Sequence, residues 1–309
     1  MSRIAILGAS SQIAKDLILS FAQRAQSDLL LYVRDCAAMQ HWLASHGLVH
    51  SVFSYAEYGR DDHDAVLNFV GVGDPQRAAQ MGGEIFSVTQ KFDDLVLDDL
   101  KNHPQRRYVF MSSGAAYGSA FLEPVGPNTR ASIAINALVP QEYYSVAKLH
   151  AESKHRALDD RAITDIRLFN YFSRTQDMNS RFFITDILRA IRDGETLQTS
   201  SDYMARDFLH PADFCRLVDC ILAAPAGNRV IDCYTRAPID KPALLSAMQQ
   251  KFGLKYQMVE GGAAVNATGG KPYYYSLNRQ AAELGYQPAY SSQDGVILES
   301  TYVLNGMAA

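Results

Sequence analysis

The apolar positions of this chain keep two rhythms that alternate along its first half. Ile4-Ala5-Ile6-Leu7 is a continuous apolar run with Gly8 directly behind it. From Gln12 to Ala25 apolar side chains return at helical spacing, at Ile13, Leu17, Leu19 and Phe21, so the pattern predicts strand, tight turn, helix. Leu29 to Val33 repeats the short run, as do Ala65 to Val70 and Arg107 to Met111. Each opens into polar or small residues: Arg34-Asp35, Gly71-Val72-Gly73 and Ser112-Ser113-Gly114. Helices are predicted from about Glu84 to Lys101 and across Gln141 to Glu152. Strands alternating with helices imply a parallel sheet with right-handed crossovers. Ligands of such an α/β sheet sit beyond the carboxyl ends of its strands, where the glycine and serine segments fall.

The second half is less regular. Phe182 to Asp193 reads as an amphipathic helix stopped by Gly194, and Lys241 to Phe252 as a helix with Leu244, Leu245 and Met248 inward. Val230 to Tyr234 reads as a short strand. A helix from Asp213 to Ala223 is expected to pack back on the sheet. Gly261 to Pro272 is glycine-rich and polar, a loop near a substrate cleft. Tyr273-Tyr274-Tyr275 reads as a half-buried strand, with stacking on a base or sugar as the alternative. With no internal repeat, the domain change is placed near Ser173. Residues 1–173 are expected to form the sheet domain and 174–309 a smaller second domain, with about 206–234 returning to the first.

Composition narrows the partners. A net charge of -4 gives no general pull toward nucleic acid or an anionic membrane, so any anionic ligand must be held locally. Cys36, Cys215, Cys220 and Cys233 lack CxxC or Cys/His spacing and have apolar neighbours, which points to buried reduced thiols and no metal site. No apolar run approaches the roughly 20 residues of a membrane helix, and the start is too short for a signal-peptide core. The expected compartment is the cytoplasm.

Chemistry concentrates in Tyr144-Ser145-Val146-Ala147-Lys148. On a helix, positions i and i+4 share a face, so the Lys148 ammonium would lie beside the Tyr144 phenol and pull its pKa down from about 10. This spacing alone carries little weight, since roughly half a match is expected by chance in a chain of this composition. In the turn Gly8-Ala9-Ser10-Ser11-Gln12-Ile13-Ala14, backbone N–H groups and a helix N-terminus could approach a pyrophosphate. Gly8 and Ala14 fit that use, but Ser11 or Gln12 stands where a middle glycine is usual. Behind the second strand, an acidic residue would take the ribose 2′-hydroxyl of NAD and an arginine the 2′-phosphate of NADP. Arg34 comes first, which favours NADP and leaves NAD possible.

These motifs continue with Ser112-Ser113-Gly114-Ala115-Ala116-Tyr117-Gly118, Arg167-Leu168-Phe169-Asn170 and Arg206-Asp207-Phe208-Leu209-His210-Pro211-Ala212-Asp213. Near the end come Leu284-Gly285-Tyr286-Gln287-Pro288 and Asp294-Gly295. In order and spacing the series resembles the extended short-chain dehydrogenase/reductase family, in particular its nucleotide-sugar branch of epimerases, dehydratases and ketoreductases. The resemblance implies a Rossmann-type doubly wound parallel sheet with a smaller C-terminal substrate domain. It implies Tyr144 as acid/base, Lys148 on the nicotinamide ribose, and Ser113 rather than Ser112 as the catalytic hydroxyl, four residues before Tyr117-Gly118. The dinucleotide would lie against Gly8, Ser10, Ser11, Gln12, Ile13, Arg34, Phe69, Val70 and Gly71. Asn170 and Arg206, with Ser113, would contact the sugar nucleotide. Tyr171-Phe172-Ser173-Arg174 departs from the family's Tyr-Gly-Pro.

Dehydratases of this branch carry Asp-Glu after the catalytic hydroxyl, where this chain has Gly114-Ala115. Arg34 suits NADPH exchanged at each turnover. The expected activity is therefore NADPH-dependent reduction of a nucleotide-activated keto-sugar, of the 4-keto-6-deoxy type, in deoxysugar or surface-polysaccharide synthesis. An NAD-dependent epimerase is the alternative. A non-catalytic dinucleotide sensor would have no use for the Ser113, Tyr144, Lys148 set. The family also implies a homodimer pairing the helices 84–101 and 143–156.

Overall fold

The computed structural model describes residues 3–24, 28–72, 78, 80–118, 120–259 and 271–306. Of the predicted features, Ala25, Gly73 and the loop from Gly261 to Gly270 lie outside them. The unbroken apolar runs have a simple cause: their strands are covered on both faces. In β1 (Arg3–Leu7), Ile4 and Ile6 enter one core while Ala5 and Leu7 enter another on the opposite face. β1 pairs in parallel with β2 (Asp28–Val33) on one side and β4 (Ala65–Asn68) on the other. β3 (Ser51–Ser54) extends the sheet beyond β2, and β5 (Arg107–Ser113) and β6 (Ile163–Leu168) extend it beyond β4.

Helices cover both faces. α1 (Gln12–Ala22) and α2 (Cys36–Ser45) place Leu17, Ile18, Phe21, Met39 and Leu43 on the Ile4/Ile6 side. α3 (Glu84–Asn102) and α4 (Pro140–Arg156) place Val96, Leu100 and Ala151 on the other. Truncating such a side chain typically costs about 2–5 kcal/mol.

The chain then leaves the sheet through β7 (Asn170–Tyr171), α5 (Phe183–Asp193), β8 (Thr196–Ser200), β9 (Ala205–Arg206) and β10 (Phe208–Leu209). It returns with α6 (Pro211–Ala223), which packs on α1, and β11 (Arg229–Asp232), which pairs in parallel with β6. Among the described residues the sheet therefore has seven strands, ordered β11-β6-β5-β4-β1-β2-β3, and is a doubly wound Rossmann sheet. Its order reverses between β1 and β4. β12 (Ile239–Asp240), α7 (Lys241–Phe252), β13 (Lys255–Val259), β14 (Tyr273–Tyr274) and α8 (Ser292–Gly306) complete the order. A second core gathers Ile184, Ile187 and Leu188 of α5, Leu244, Leu245 and Met248 of α7, and Val296 of α8. All four cysteines are free thiols, and among the described residues no helix is long and apolar enough to cross a membrane.

β6 was not expected from the apolar pattern, because Asp165 and Arg167 interrupt it. Both are answered by α4. His155 is fully buried, with Nδ1 2.6 Å from Asp165 Oδ1 and Nε2 2.7 Å from Asp93 Oδ1. Tyr108 donates to Asp93 at 3.0 Å, and the Lys154 ammonium reaches Asp93 Oδ2 at 2.8 Å. Burial alone would push the His155 pKa down, but hydrogen bonds to Asp165 and Asp93 and their charges hold it at about 9. A folded-state pKa above the unfolded value of about 6.5 means the stabilisation is complete below pH 6.5 and is lost as pH rises through about 9. By this linkage the His155 contribution should fall by roughly 1–2 kcal/mol between pH 6.5 and 8. His155→Gln should be less stable overall, and calorimetry should show its deficit against the unaltered protein shrinking across that window; an equal slope in both proteins would contradict the assignment.

Candidate active site

Pro140 opens α4 at its first turn, and the Glu142 carboxylate accepts from the Val139 backbone N–H at 3.3 Å, closing the helix start. That register puts Tyr144 and Lys148 on one face, toward the carboxyl end of β5. Lys148 is only 3% exposed: its Nζ donates to the Met111 carbonyl at 2.6 Å and stands 4.4 Å from the Phe110 ring centre and 5.7 Å from that of Tyr144. Burial lowers its pKa to about 8, against the opposing charges of Asp93, Glu152 and Asp165.

The pleat of β5 separates its two serines. Ser112 donates to Glu152 at 2.5 Å, inside the Glu152–Arg167 ion pair. Ser113 points into the cleft, where its Oγ accepts from the Ala115 N–H at 3.2 Å, lies 3.2 Å from the Tyr274 hydroxyl and is near enough to the Tyr144 phenol to influence its pKa. Ser113, Tyr144 and Lys148 thus share one site. The Tyr144 phenol differs from expectation in one respect. Burial is the largest influence on it and raises its pKa well above 10, with the nearby Tyr274 adding to the rise and the Ser113 hydroxyl opposing it. At neutral pH Tyr144 is a protonated donor.

The crevice for a dinucleotide lies at the β1/β4 reversal. Gly8 has φ +74, and a Cβ there would sit 2.8 Å from the Phe69 carbonyl carbon and 2.9 Å from the Val70 nitrogen, so no other residue fits. A Cβ on Gly71 would lie 3.6 Å from Lys148 Nζ, which joins this crevice to the catalytic face. The missing middle glycine has a local explanation. Ser11 is in extended conformation and turns its Oγ back to cap α1, accepting from Ala14 N–H at 3.4 Å, so its side chain lies over the first turn, where its hydroxyl proton can still be donated to a phosphate. Ser10 is exposed at the turn, Ile13 packs on the core, and Gln12 is tied to Ser173 Oγ at 2.9 Å. Arg34 is exposed behind β2, whereas Asp35 caps α2 by accepting from Ala38 N–H at 2.9 Å. The glycine cradle, the start of α1 and the buried lysine fit a pyridine dinucleotide.

Opposite this crevice, β14 brings up side chains from the C-terminal half. Arg206 is 3% exposed and donates from Nη1 to the Ala205 and Lys271 carbonyls, each at 2.8 Å. The nearby carboxylates of Asp207 and Asp213 accept instead from Thr235 and Ser292 and from the Ala289 and Tyr290 backbone. Asn170 donates to the Tyr274 carbonyl at 3.1 Å. Lys271 stands 4.6 Å from the Tyr274 ring centre, and burial, with the Arg206 charge, lowers its pKa to about 8. Two crowded cations in a partly dry pocket favour an anionic ligand.

A model of the NAD dependent epimerase/dehydratase family matches residues 4–233. The chain belongs to that family. It is accordingly an enzyme of the extended short-chain dehydrogenase/reductase type. Comparison with curated proteins finds no match. Among solved structures it is similar to a UDP-glucose 4-epimerase from Thermotoga maritima in complex with UDP-glucose, at 14% identity, covering 99% of each chain with a TM-score of 0.79. A UDP-glucuronic acid 4-epimerase from Bacillus cereus, in complex with UDP-glucuronic acid and NAD, matches at 14% identity over 98% of this chain and 99% of that one, with a TM-score of 0.77. A dTDP-glucose 4,6-dehydratase from Bacillus anthracis with NAD matches at 14% identity over 100% and 98%, with a TM-score of 0.77. At such identities the likeness extends to the fold.

Where this member departs from the family pattern, the structure supplies another use for the residues. Tyr171 donates to Asp16 of α1 at 2.8 Å, Ser173 accepts Gln12, and the Arg174 guanidinium reaches Glu299 of α8 at 2.7 Å. The segment binds α1 to α8 rather than forming a phosphate loop. Lys271 and Tyr274 escaped the motif reading. Their only sequence signal was the tyrosine run beside a lone lysine. At Gly114 a Cβ would come within 2.3 Å of the Phe169 ring. Gly114→Ala should therefore lower stability by about 1–3 kcal/mol and reduce activity by displacing Ser113; denaturant melts showing no loss would contradict this packing.

Proposed function

We propose that this enzyme reduces a nucleotide-activated keto-sugar with NADPH, of the 4-keto-6-deoxy type, in cytoplasmic synthesis of a deoxysugar or surface polysaccharide. The observation that carries this reading is the end of β2, where Arg34 is exposed for a 2′-phosphate while Asp35 is turned into a helix cap. Gly8 and the first turn of α1 would hold the pyrophosphate, Phe69 to Gly71 the far wall, and Lys148 the nicotinamide ribose. A nicotinamide bound there supplies hydride.

The protein's own part is to manage charge and a proton. Ser113 and Tyr144 donate hydrogen bonds to the substrate carbonyl oxygen as negative charge grows on it, and Tyr144 then hands over its phenolic proton. A phenol held above its ordinary pKa is protonated at neutral pH, which is the state that reduction requires. Arg206, Lys271 and Asn170 would hold the sugar nucleotide's diphosphate. Dehydration is disfavoured because Phe169 fills the space where a carboxylate after Ser113 would project.

A second reading is an NAD-dependent epimerase, favoured by the two epimerases to which the fold is similar. Such an enzyme would carry NAD through purification and show no net cofactor consumption. In either case we propose a homodimer paired through α3 and α4, to be tested by sedimentation.

Tyr144→Phe should lower NADPH-dependent turnover by roughly 10²–10⁴-fold, and an unimpaired variant would remove the assigned acid. Arg34→Ala should weaken NADPH binding by roughly 10–100-fold and leave NADH nearly unchanged; equal effects on both nucleotides would overturn the cofactor choice. The reductive rate should fall as pH rises through about 8, where the Lys148 ammonium loses its proton.

A further inference from the structure

Ser113, Asn170 and Arg206, the residues assigned to the substrate, all neighbour one residue that lies outside the family's motifs. Tyr274 has its hydroxyl 3.2 Å from Ser113 Oγ, its carbonyl 3.1 Å from the Asn170 amide, and its ring centre 6.0 Å from the Arg206 guanidinium. It is 5% exposed, with its ring edge-on to Phe121 and Phe169 at 4.8 and 5.3 Å. Its hydroxyl also lies beside Tyr144, whose ionisation it opposes.

A serine hydroxyl has one proton and two acceptor positions. At Ser113 the Ala115 N–H takes one acceptor position. That leaves one proton and one lone pair. With the lone pair accepting from Tyr274, 3.2 Å away, the proton is left for the cleft, and the direction of the chain is determined.

We propose that Tyr274 is a positioning residue of the acid–base centre, donating to Ser113 Oγ so that the single Ser113 proton points away from Tyr274 and toward the reacting oxygen of the keto-sugar. The proposal rests on the reading of Ser113 and Tyr144 as that centre. Tyr274 acts through Ser113 and delivers no proton to substrate. Its position on β14, 161 residues along the chain from Ser113, makes the aim of the serine depend on the C-terminal half closing over the sheet.

Tyr274→Phe removes the hydroxyl and keeps the ring packing. With NADPH and UDP- or dTDP-linked 4-keto-6-deoxyhexoses, it should lower kcat by about 10-fold, with KM and melting temperature nearly unchanged. In a Ser113→Ala background the same substitution should have no further effect, because the group it orients is gone. Additive losses in the double variant would overturn the positioning role. So would a lower KM with an unchanged or higher kcat, which would mark Tyr274 as an obstruction standing where substrate oxygen belongs. Tyr144→Phe is the control: loss of turnover there with none in Tyr274→Phe overturns this proposal alone. No effect in Tyr144→Phe, or no turnover by the unaltered enzyme, overturns the proposed function and this inference together.

Discussion

A lysine ammonium almost without access to water sets the terms for the catalytic half of this protein. Withdrawing a charge from water costs several kcal/mol unless its surroundings answer it. Lys148 is answered by the Met111 carbonyl, by the face of the Phe110 ring, and by the field of Asp93, Glu152 and Asp165. Those carboxylates are themselves buried and must be held in turn, which is the work of His155, Lys154, Arg156 and Arg167. The result is a polar layer pinned between α4 and the sheet. It prevents α4 from sliding or rotating, and so keeps Tyr144 over the end of β5.

The second half of the site is assembled from far along the chain. β14 lays Tyr274 against Ser113 and brings Lys271 beside Arg206, while α8 reaches back through Glu299 to Arg174 and His210. The crevice at the β1/β4 reversal is thus made by the sheet with α1 and α4, whereas the Tyr274 side of the site exists only once β14 has docked. On the proposed assignment, this division separates cofactor recognition from sugar recognition.

That division also explains what could be read in advance. β1, β2, β4 and β5 were legible because strands buried on both faces are apolar throughout, and the helices after β1, β4 and β5 were placed from the pattern, whereas α2 and the short edge strand β3 were not. β6 was hidden because Asp165 and Arg167 look like loop residues until their partners on α4 are known. α8 was hidden for the same reason, with Ser292, Glu299 and Ser300 all buried. Ser113, Tyr144 and Lys148 were legible as a motif, but the direction of the Tyr144 pKa was not. Spacing put Lys148 on the same face as the phenol and could not show the burial, which is the largest influence on it, ahead of Tyr274 and Ser113. Tyr274 was seen only as a strand residue, since its contact with Ser113 spans most of the chain.

The central claim is that Ser113, Tyr144 and Lys148 meet over the reactive end of a pyridine nucleotide at the carboxyl edge of the sheet. A crystal structure of the protein soaked with NADPH tests it most directly. The account predicts the pyrophosphate at Gly8 and the start of α1, the 2′-phosphate against Arg34, and the nicotinamide within reach of Tyr144 with Lys148 on its ribose. A nucleotide bound elsewhere, or one whose nicotinamide faces away from Tyr144, would contradict it.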